Sequence, residues 1–358
     1  DLRGHVAVLP YSSGTTGLPK GVMLCHANLV ANVDQTLAVA TIEPGEVTPA
    51  FLPFFHIYGM VPVLNGYLAR GACLATMPRF DLALCLDLIQ RHRARNLWIV
   101  PPVAIALAKH PLVADYDLSS LEQITSGAAP LGGEITEAVT ARLGCLATQA
   151  YGMTEMSPVS HFTPRHAPRT GSVGLALPGT LCRIVDPETG ADRGPGEEGE
   201  LWVKGPQIML GYHQRPEATD ETLVEDGWLR TGDLALIDAE GYCFIRDRRK
   251  ELIKVKGFAV APAEIEATLL THPAIADVAV IGVPDDEAGE APVAFIVAAP
   301  GTSPTLEVMQ AHIAEHLAHF KQVREIVPVE AVPKSASGKI LRRVLRHQFA
   351  ARPMSDMA

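Results

Sequence analysis

The sequence predicts an α/β protein: a layered large domain with a β-rich subdomain attached, followed by a small α+β domain. Three observations predict it. Up to about residue 245, short apolar runs alternate with helical patterns, the texture of a layered α/β domain. From residue 183 that texture gives way to short strand-like runs separated by turn signals. A charged stretch at 246–250 then separates this region from a compact pattern of helices and strands at the end of the chain.

Taken in order, residues 5–9 read as a strand, and the apolar run at 94–100 as a strand leading through Pro101-Pro102 into a helix. Within 133–143, Ile135, Val139 and Leu143 fall at i, i+4 and i+8, and Gly144 stops that helix. In the β-rich subdomain, about 183–246, turns fall at 188–190 (ETG) and 194–200 (GPGEEGE), with Leu201-Trp202-Val203 as strand. The large domain accordingly spans 1–246 and the small one 251–358. In the small domain Pro262 sits where a first helical turn tolerates it, Ile265 and Leu269 share a face, and Pro273 ends the helix. Strands follow at 278–283 and 292–298, then a helix over about 306–319 with Met309, Ile313 and Leu317 at spacing four.

Composition narrows the function. A chain of 358 residues is long enough for roughly two or three folding units. With 47% apolar and 20% charged residues it is an ordinary globular protein rather than a disordered one. A net charge of −10 repels a long polyanion, so nucleic acid is excluded as a partner. The six cysteines form no CxxC pair and no zinc-spaced cluster, which reads as reduced thiols in a cytoplasmic protein. The most apolar stretch, 61–77, is interrupted by Asn65 and Arg70, so no membrane span is expected. The chain opens at Asp1 without a methionine or a signal-peptide pattern, which reads as a fragment whose start is missing.

The most informative segment is YSSGTTGLPKG, residues 11–21. Its glycines let backbone N–H groups approach phosphates closely, its hydroxyls donate further hydrogen bonds, and its lysine adds a point charge. Ser12, Ser13, Gly14, Thr15, Thr16, Gly17 and Lys20 are the candidates, with Gly14, Gly17 and Lys20 foremost. Pro19 stands before the lysine, so this is not a Walker A loop, and a P-loop ATPase or kinase is disfavoured. By composition alone such a segment also fits a surface turn.

The full string YSSGTTGLPKGV resembles the signature loop of the adenylate-forming superfamily, which includes acyl-CoA synthetases, nonribosomal adenylation domains and beetle luciferases. Further strings follow in that family's order: LPFFHIYG, SGAAPLG, QAYGMTE, GWLRTGD, DRRKELIKVKG and PKSASGKILRR. The resemblance covers essentially the whole chain and is nearest in pattern to 4-coumarate:CoA ligase-like enzymes. It implies an adenylate-forming fold with a mobile small domain, and the loss of an N-terminal segment that completes the large one.

The same resemblance implies the chemistry. Gly127, Ala128, Gln149, Ala150, Tyr151 and Gly152 would line the nucleotide site; Thr154 would bind phosphate and Glu155 a magnesium ion. Asp233 would accept the two ribose hydroxyls and Arg248 would contact ribose and phosphate, with 247–250 as the hinge, centred on Lys250. Lys339 would reach the reacting carboxylate and the α-phosphate in the first step, and Lys254 would serve the second. Arg79, Lys256 and Gly257 would contact coenzyme A. His56 would gate the acyl carboxylate, with Tyr58, Thr125, Ala128, Ala150, Pro158 and Val159 forming the acyl pocket. The implied reaction consumes a small carboxylic acid, ATP with Mg2+, and coenzyme A. A hydroxycinnamate such as 4-coumarate is favoured, with medium- or long-chain fatty acids as the alternative. An amino-acid adenylation domain or an inactive nucleotide-binding fragment is more distant. Ala259 departs from the glutamine common in relatives, which bears on efficiency rather than reaction class.

Overall fold

Strand Asn96–Ile99 is buried along its whole length and pairs in parallel with Gln123–Ser126, which pairs in parallel with Leu146–Gly152. A strand covered on both faces needs a near-continuous apolar run, which explains why 94–100 lacks the alternation of a half-exposed strand. Val159–Phe162 and Leu175–Ala176 extend this sheet antiparallel. Helices Pro101–Lys109 and Gly133–Leu143 follow two of the parallel strands. The first opens on its proline pair, and the second ends at Gly144 with φ 66°.

The computed structural model describes residues 1–12, 19–335 and 338–352. It divides into two units, Asp1–Ile245 and Arg246–Ala358. No helix among the described residues is long and apolar enough to cross a membrane.

In the first unit, strand Lys20–Cys25 pairs with Val6–Val8, Tyr11–Ser12 and Gly211–Tyr212, so that Tyr212 lies opposite Val22. The strand runs directly into helix His26–Val39, whose buried face is polar: Asn28, Asn32, Gln35 and Thr36. Three of these are satisfied by backbone. Asn28 donates to the carbonyls of Pro206 and Ile208, Asn32 exchanges hydrogen bonds with both backbone groups of Val159, and Gln35 donates to the Pro178 carbonyl. A buried amide is tolerable only when so paired, and here the pairing fastens the helix to the segments that follow Glu155. The β-rich region forms a second sheet, Leu181–Val185, Gly199–Lys204, Trp228–Ile237 and Leu223–Val224 in that order, with Cys243–Arg248 also on Trp228–Ile237.

The second unit is an α+β domain. Its sheet runs Phe258–Val260, Ile253–Val255, Gly289–Ala298, Ile275–Asp285, and Glu325–Pro328 joins Gly289–Ala298 in parallel. Helix Pro262–Thr271 buries Ile265 and Leu269, and Leu306–His316 buries Met309 and Ile313, on one side of that sheet's core.

Three expectations require correction. The helix expected over 306–319 stops at His316, because Leu317 turns extended while still packing on the core, and the His316 imidazole takes the carbonyl of His312 in the last turn. The strands expected at 278–283 and 292–298 are longer, Ile275–Asp285 and Gly289–Ala298. The charged run at 246–250 is not all linker. Through Arg248 it completes a strand, and buried Asp247 accepts the backbone N–H of Ala263 in the first turn of helix Pro262–Thr271.

Candidate active site

The parallel strands Gln123–Ser126 and Leu146–Gly152 end beside the loops that carry Gly127, Ala128, Thr154 and Glu155, the usual location of sites in α/β sheets. Just past the second strand, Thr154 and Glu155 lie in a short 3-10 turn, Thr154–Met156. Glu155 is only 2% exposed, and its Oε1 accepts the hydroxyl of Tyr212 at 2.7 Å. The ammonium of Lys20 stands 4.6 Å from the centre of that same tyrosine ring. A lysine from the phosphate-type loop and a carboxylate from the QAYGMTE string therefore meet on one aromatic side chain. The tyrosine gives Glu155 a neutral donor, which compensates its burial without cancelling its charge.

A second pair joins the strings QAYGMTE and GWLRTGD. The hydroxyl of Tyr151 donates to Oδ2 of Asp233 at 2.5 Å, and Asp233 is 3% exposed. Behind Tyr151 lies His161, its cross-strand neighbour, with ring centroids 5.9 Å apart. Burial pushes the His161 pKa down to about 4, so the ring is neutral, bonded to Ser160 Oγ and to Cys182 Sγ. It buttresses Tyr151 without adding a charge beside Asp233.

The residues expected at the acyl pocket fall into two groups. The Tyr58 backbone N–H donates to His56 Nδ1, and its hydroxyl reaches the carbonyls of Ile99 and Thr125. Burial drives the Tyr58 pKa upward, so the hydroxyl stays a donor. A Cβ at Gly127 would lie 3.1 Å from the Tyr58 ring, so that glycine lets the strand end close on the tyrosine. Ala128, exposed, adopts φ 70°. Gly152 passes against the carbonyl of Pro158, and a Cβ there would collide with it. Thr125 and Val159 are interior residues whose polar groups are used internally: Thr125 Oγ1 bonds Thr148 Oγ1, and Val159 bonds Asn32. Gln149 accepts the backbone N–H of Leu131, tying 127–131 to the neighbouring strand, and Ala150 is half-buried opposite Phe162. Arg79 lies exposed in the loop after strand Cys73–Thr76. Ser12 ends strand Tyr11–Ser12, opposite Lys20. Ser13, Gly14, Thr15, Thr16 and Gly17 lie outside the described residues.

In the second unit, Lys256 (φ 49°) and Gly257 (φ 86°) form a two-residue turn between Ile253–Val255 and Phe258–Val260, with Val255 opposite Phe258. Two positive φ values make this the hairpin turn whose twist matches the strands, hence the glycine. Lys254 projects from the exposed side of the first of these strands, paired with Ala259. Arg248 ends strand Cys243–Arg248, and Lys250 follows in an exposed turn. Lys339 lies on a segment whose ends are both pinned. Lys334 pairs with Asp277 at 2.5 Å, and Arg342 bonds Glu266 at 2.7 Å and Glu251 at 3.0 Å. Between the pins, Ser335 and Lys339 bond through their backbones.

Sequence reasoning missed Tyr212, His161 and Arg342. For Tyr212 the only local signal is a GY pair in a short strand. Its partner Glu155 is 57 residues away.

A family model described as AMP-binding enzyme matches residues 3–213, and one described as AMP-binding enzyme C-terminal domain matches residues 264–339. The chain is 44% identical over 351 residues to a probable 4-coumarate--CoA ligase 2 of Dictyostelium discoideum, covering 97% of this chain and 64% of that protein. It is 45% identical over 356 residues to 4-coumarate--CoA ligase 1 of Solanum tuberosum, covering 97% of this chain and 65% of that one. The chain thus spans somewhat less than two thirds of the length of these relatives. Among solved structures it is similar to ATP-bound MatB from Rhodopseudomonas palustris, with a TM-score of 0.90 and 34% identity, over 98% of this chain and 69% of that one.

Proposed function

This chain belongs to the AMP-binding enzyme family, and we propose that it carries out the chemistry of an ATP-dependent acid–thiol ligase. A carboxylate oxygen attacks the α-phosphorus of ATP, the bond to pyrophosphate breaks, and an acyl-AMP forms. The thiol sulfur of coenzyme A then attacks the acyl carbonyl and AMP leaves. Neither step uses a covalent enzyme intermediate; positioning and charge stabilisation supply the rate.

The observation that carries this reading is the meeting of Lys20 and Glu155 on Tyr212. It sets a cation for phosphate oxygens beside a buried carboxylate. A carboxylate oxygen is the donor a hard cation takes, so Glu155 would hold Mg2+, which supplies neutralisation of phosphate charge. Asp233, oriented by Tyr151, offers two oxygens to the ribose hydroxyls. Lys339 supplies the cation for adenylate formation, Lys254 serves thioester formation, and Lys250 is the hinge between the two half-reactions. Arg79, Lys256 and Gly257 serve coenzyme A.

The favoured acid is a hydroxycinnamate. The names of the relatives support it, as do the small side chains Ala128 and Ala150, which leave room for a flat ring. The six free cysteines are in keeping with a cytoplasmic setting.

The test is pyrophosphate and thioester formation by the purified protein with Mg-ATP, coenzyme A and acids from 4-coumarate through octanoate to amino acids. Thioester from 4-coumarate supports the proposal, and turnover of octanoate alone moves the substrate class to fatty acids. Pyrophosphate exchange with amino acids alone, or with none of the panel, refutes it. Lys339→Ala should abolish adenylate formation yet spare thioester formation from supplied acyl-AMP, and Lys254→Ala should do the reverse.

A further inference from the structure

The second unit contains a cluster of metal-ligating side chains that the ligase chemistry does not use. His312, Glu315 and His316 lie at i, i+3 and i+4 on helix Leu306–His316, and so share one face. One ligand atom from each lies within 4.8 Å of the others. Two ligands bound at about 2.1 Å to one ion are at most about 4.2 Å apart, so a small side-chain adjustment closes the set. Glu315 and His316 are exposed and have the freedom to make it.

The hydrogen bonds around the two imidazoles leave each with a lone-pair nitrogen. Thr271 spends its hydroxyl proton on the carbonyl of Thr268 at 2.7 Å, so its oxygen accepts from His312 Nε2, 2.8 Å away. The Thr268 carbonyl lies 3.0 Å from the same nitrogen. The proton therefore sits on Nε2, and Nδ1 carries the lone pair. At His316, Nδ1 donates to the carbonyl of His312 at 2.8 Å, leaving the lone pair on Nε2. A ring N–H held by a carbonyl or hydroxyl is the arrangement that fixes the tautomer of a metal-binding histidine. The neighbouring His272 packs edge-on against His312 at 5.1 Å and accepts the Ala274 N–H through its own Nδ1.

We propose that His312, Glu315 and His316 form a binding site for a divalent transition-metal ion of the zinc type. Two imidazoles and one carboxylate suit Zn2+, Co2+ or Ni2+ and disfavour Mg2+ and Ca2+, which take oxygen ligands throughout. Three protein ligands on an exposed helix face leave the remaining coordination positions to water.

The test is calorimetric titration of the untagged, nucleotide-free protein with Zn2+, and with Co2+ read by its visible ligand-field absorption. One ion should bind with micromolar affinity. His316→Ala, at an exposed position, should weaken it at least tenfold, and Glu315→Gln should weaken it less. Thr271→Val keeps all three ligands but removes the acceptor that fixes the His312 tautomer, and should cost about tenfold. His319→Ala, just beyond the helix, should change nothing. The proposal is overturned if Zn2+ does not bind below about 100 μM, or if binding is the same in His316→Ala as in the parent. Should His312→Ala fail to fold, the His316 and Glu315 variants decide the matter.

Discussion

Arg342 provides the sharpest test of how the second unit holds the segment bearing Lys339. Its guanidinium bonds both oxygens of Glu266, at 2.7 and 2.9 Å, one oxygen of Glu251 at 3.0 Å, and the Val280 carbonyl at 3.1 Å. The side chains of Arg342, Glu266 and Glu251 are only about 10% exposed. At an effective dielectric of about 20 each ion pair contributes about 4 kcal/mol before desolvation, and desolvating the ions takes back most of that. Removing one partner is different, because it strands buried carboxylates. Arg342→Met should therefore destabilise the protein by about 3–5 kcal/mol at pH 8. Burial already raises the Glu266 pKa and losing the guanidinium raises it further, so this carboxylate takes up a proton as the pH falls and the penalty should shrink between pH 8 and pH 5. Urea unfolding of parent and variant at both pH values measures this, and Glu266→Gln in the variant background should recover part of the loss. Because the pin is lost, adenylate formation should fall while thioester formation from supplied acyl-AMP holds. A destabilisation below about 1 kcal/mol, or an equal one at pH 5 and pH 8, refutes the argument.

Other predictions follow from the same reasoning. Tyr212→Phe removes the donor to Glu155 but keeps the ring under Lys20, and should slow adenylate formation about tenfold in a pyrophosphate-release assay; Tyr212→Leu, which removes both, should slow it further. Gly152→Ala drives a methyl into the Pro158 carbonyl, and should lower stability by about 1–3 kcal/mol with loss of nucleotide binding by calorimetry. Burial raises the Asp247 pKa from 3.8 to about 6 in the fold, so its contribution is fully present below the unfolded value and is lost as pH rises through about 6. That amounts to about 3 kcal/mol between pH 4 and pH 7, and the pH dependence of unfolding in this window should flatten in Asp247→Asn.

The parts of the fold legible in the sequence are those fixed by neighbours a few residues away. Helix Gly133–Leu143 ends where Gly144 can adopt φ 66°, and Pro101 and Pro262 open helices because a first-turn residue needs no N–H. Where distant partners decide, local reading falls short. The strand expected at 278–283 stops short of Pro284, yet Ile275–Asp285 continues through that proline, which lies opposite Glu290. This strand is the last in its sheet order, and a missing donor is tolerated on an edge. The buried asparagines and glutamine of helix His26–Val39 are likewise invisible as core, since their partners at Val159, Pro178 and Pro206 come from far along the chain.

The site divides along the same line. Its motif residues stand in contiguous strings, whereas the groups that orient them do not. Two buried carboxylates of the first unit, Glu155 and Asp233, accept from a tyrosine hydroxyl, whereas a third, Glu200, accepts from Arg230 and from the Gly232 backbone N–H. The difference matters for binding. An arginine would form a two-pronged ion pair, saturate the carboxylate and offset the charge that a metal ion must meet. A phenol satisfies one lone pair and leaves the charge in place. In the second unit the buried Glu251 and Glu266 face Arg342 and are assigned no ligand; they anchor the segment bearing Lys339. The tyrosines that orient Glu155 and Asp233, and the arginine that anchors Glu251 and Glu266, come from far along the chain, so only the folded chain displays them.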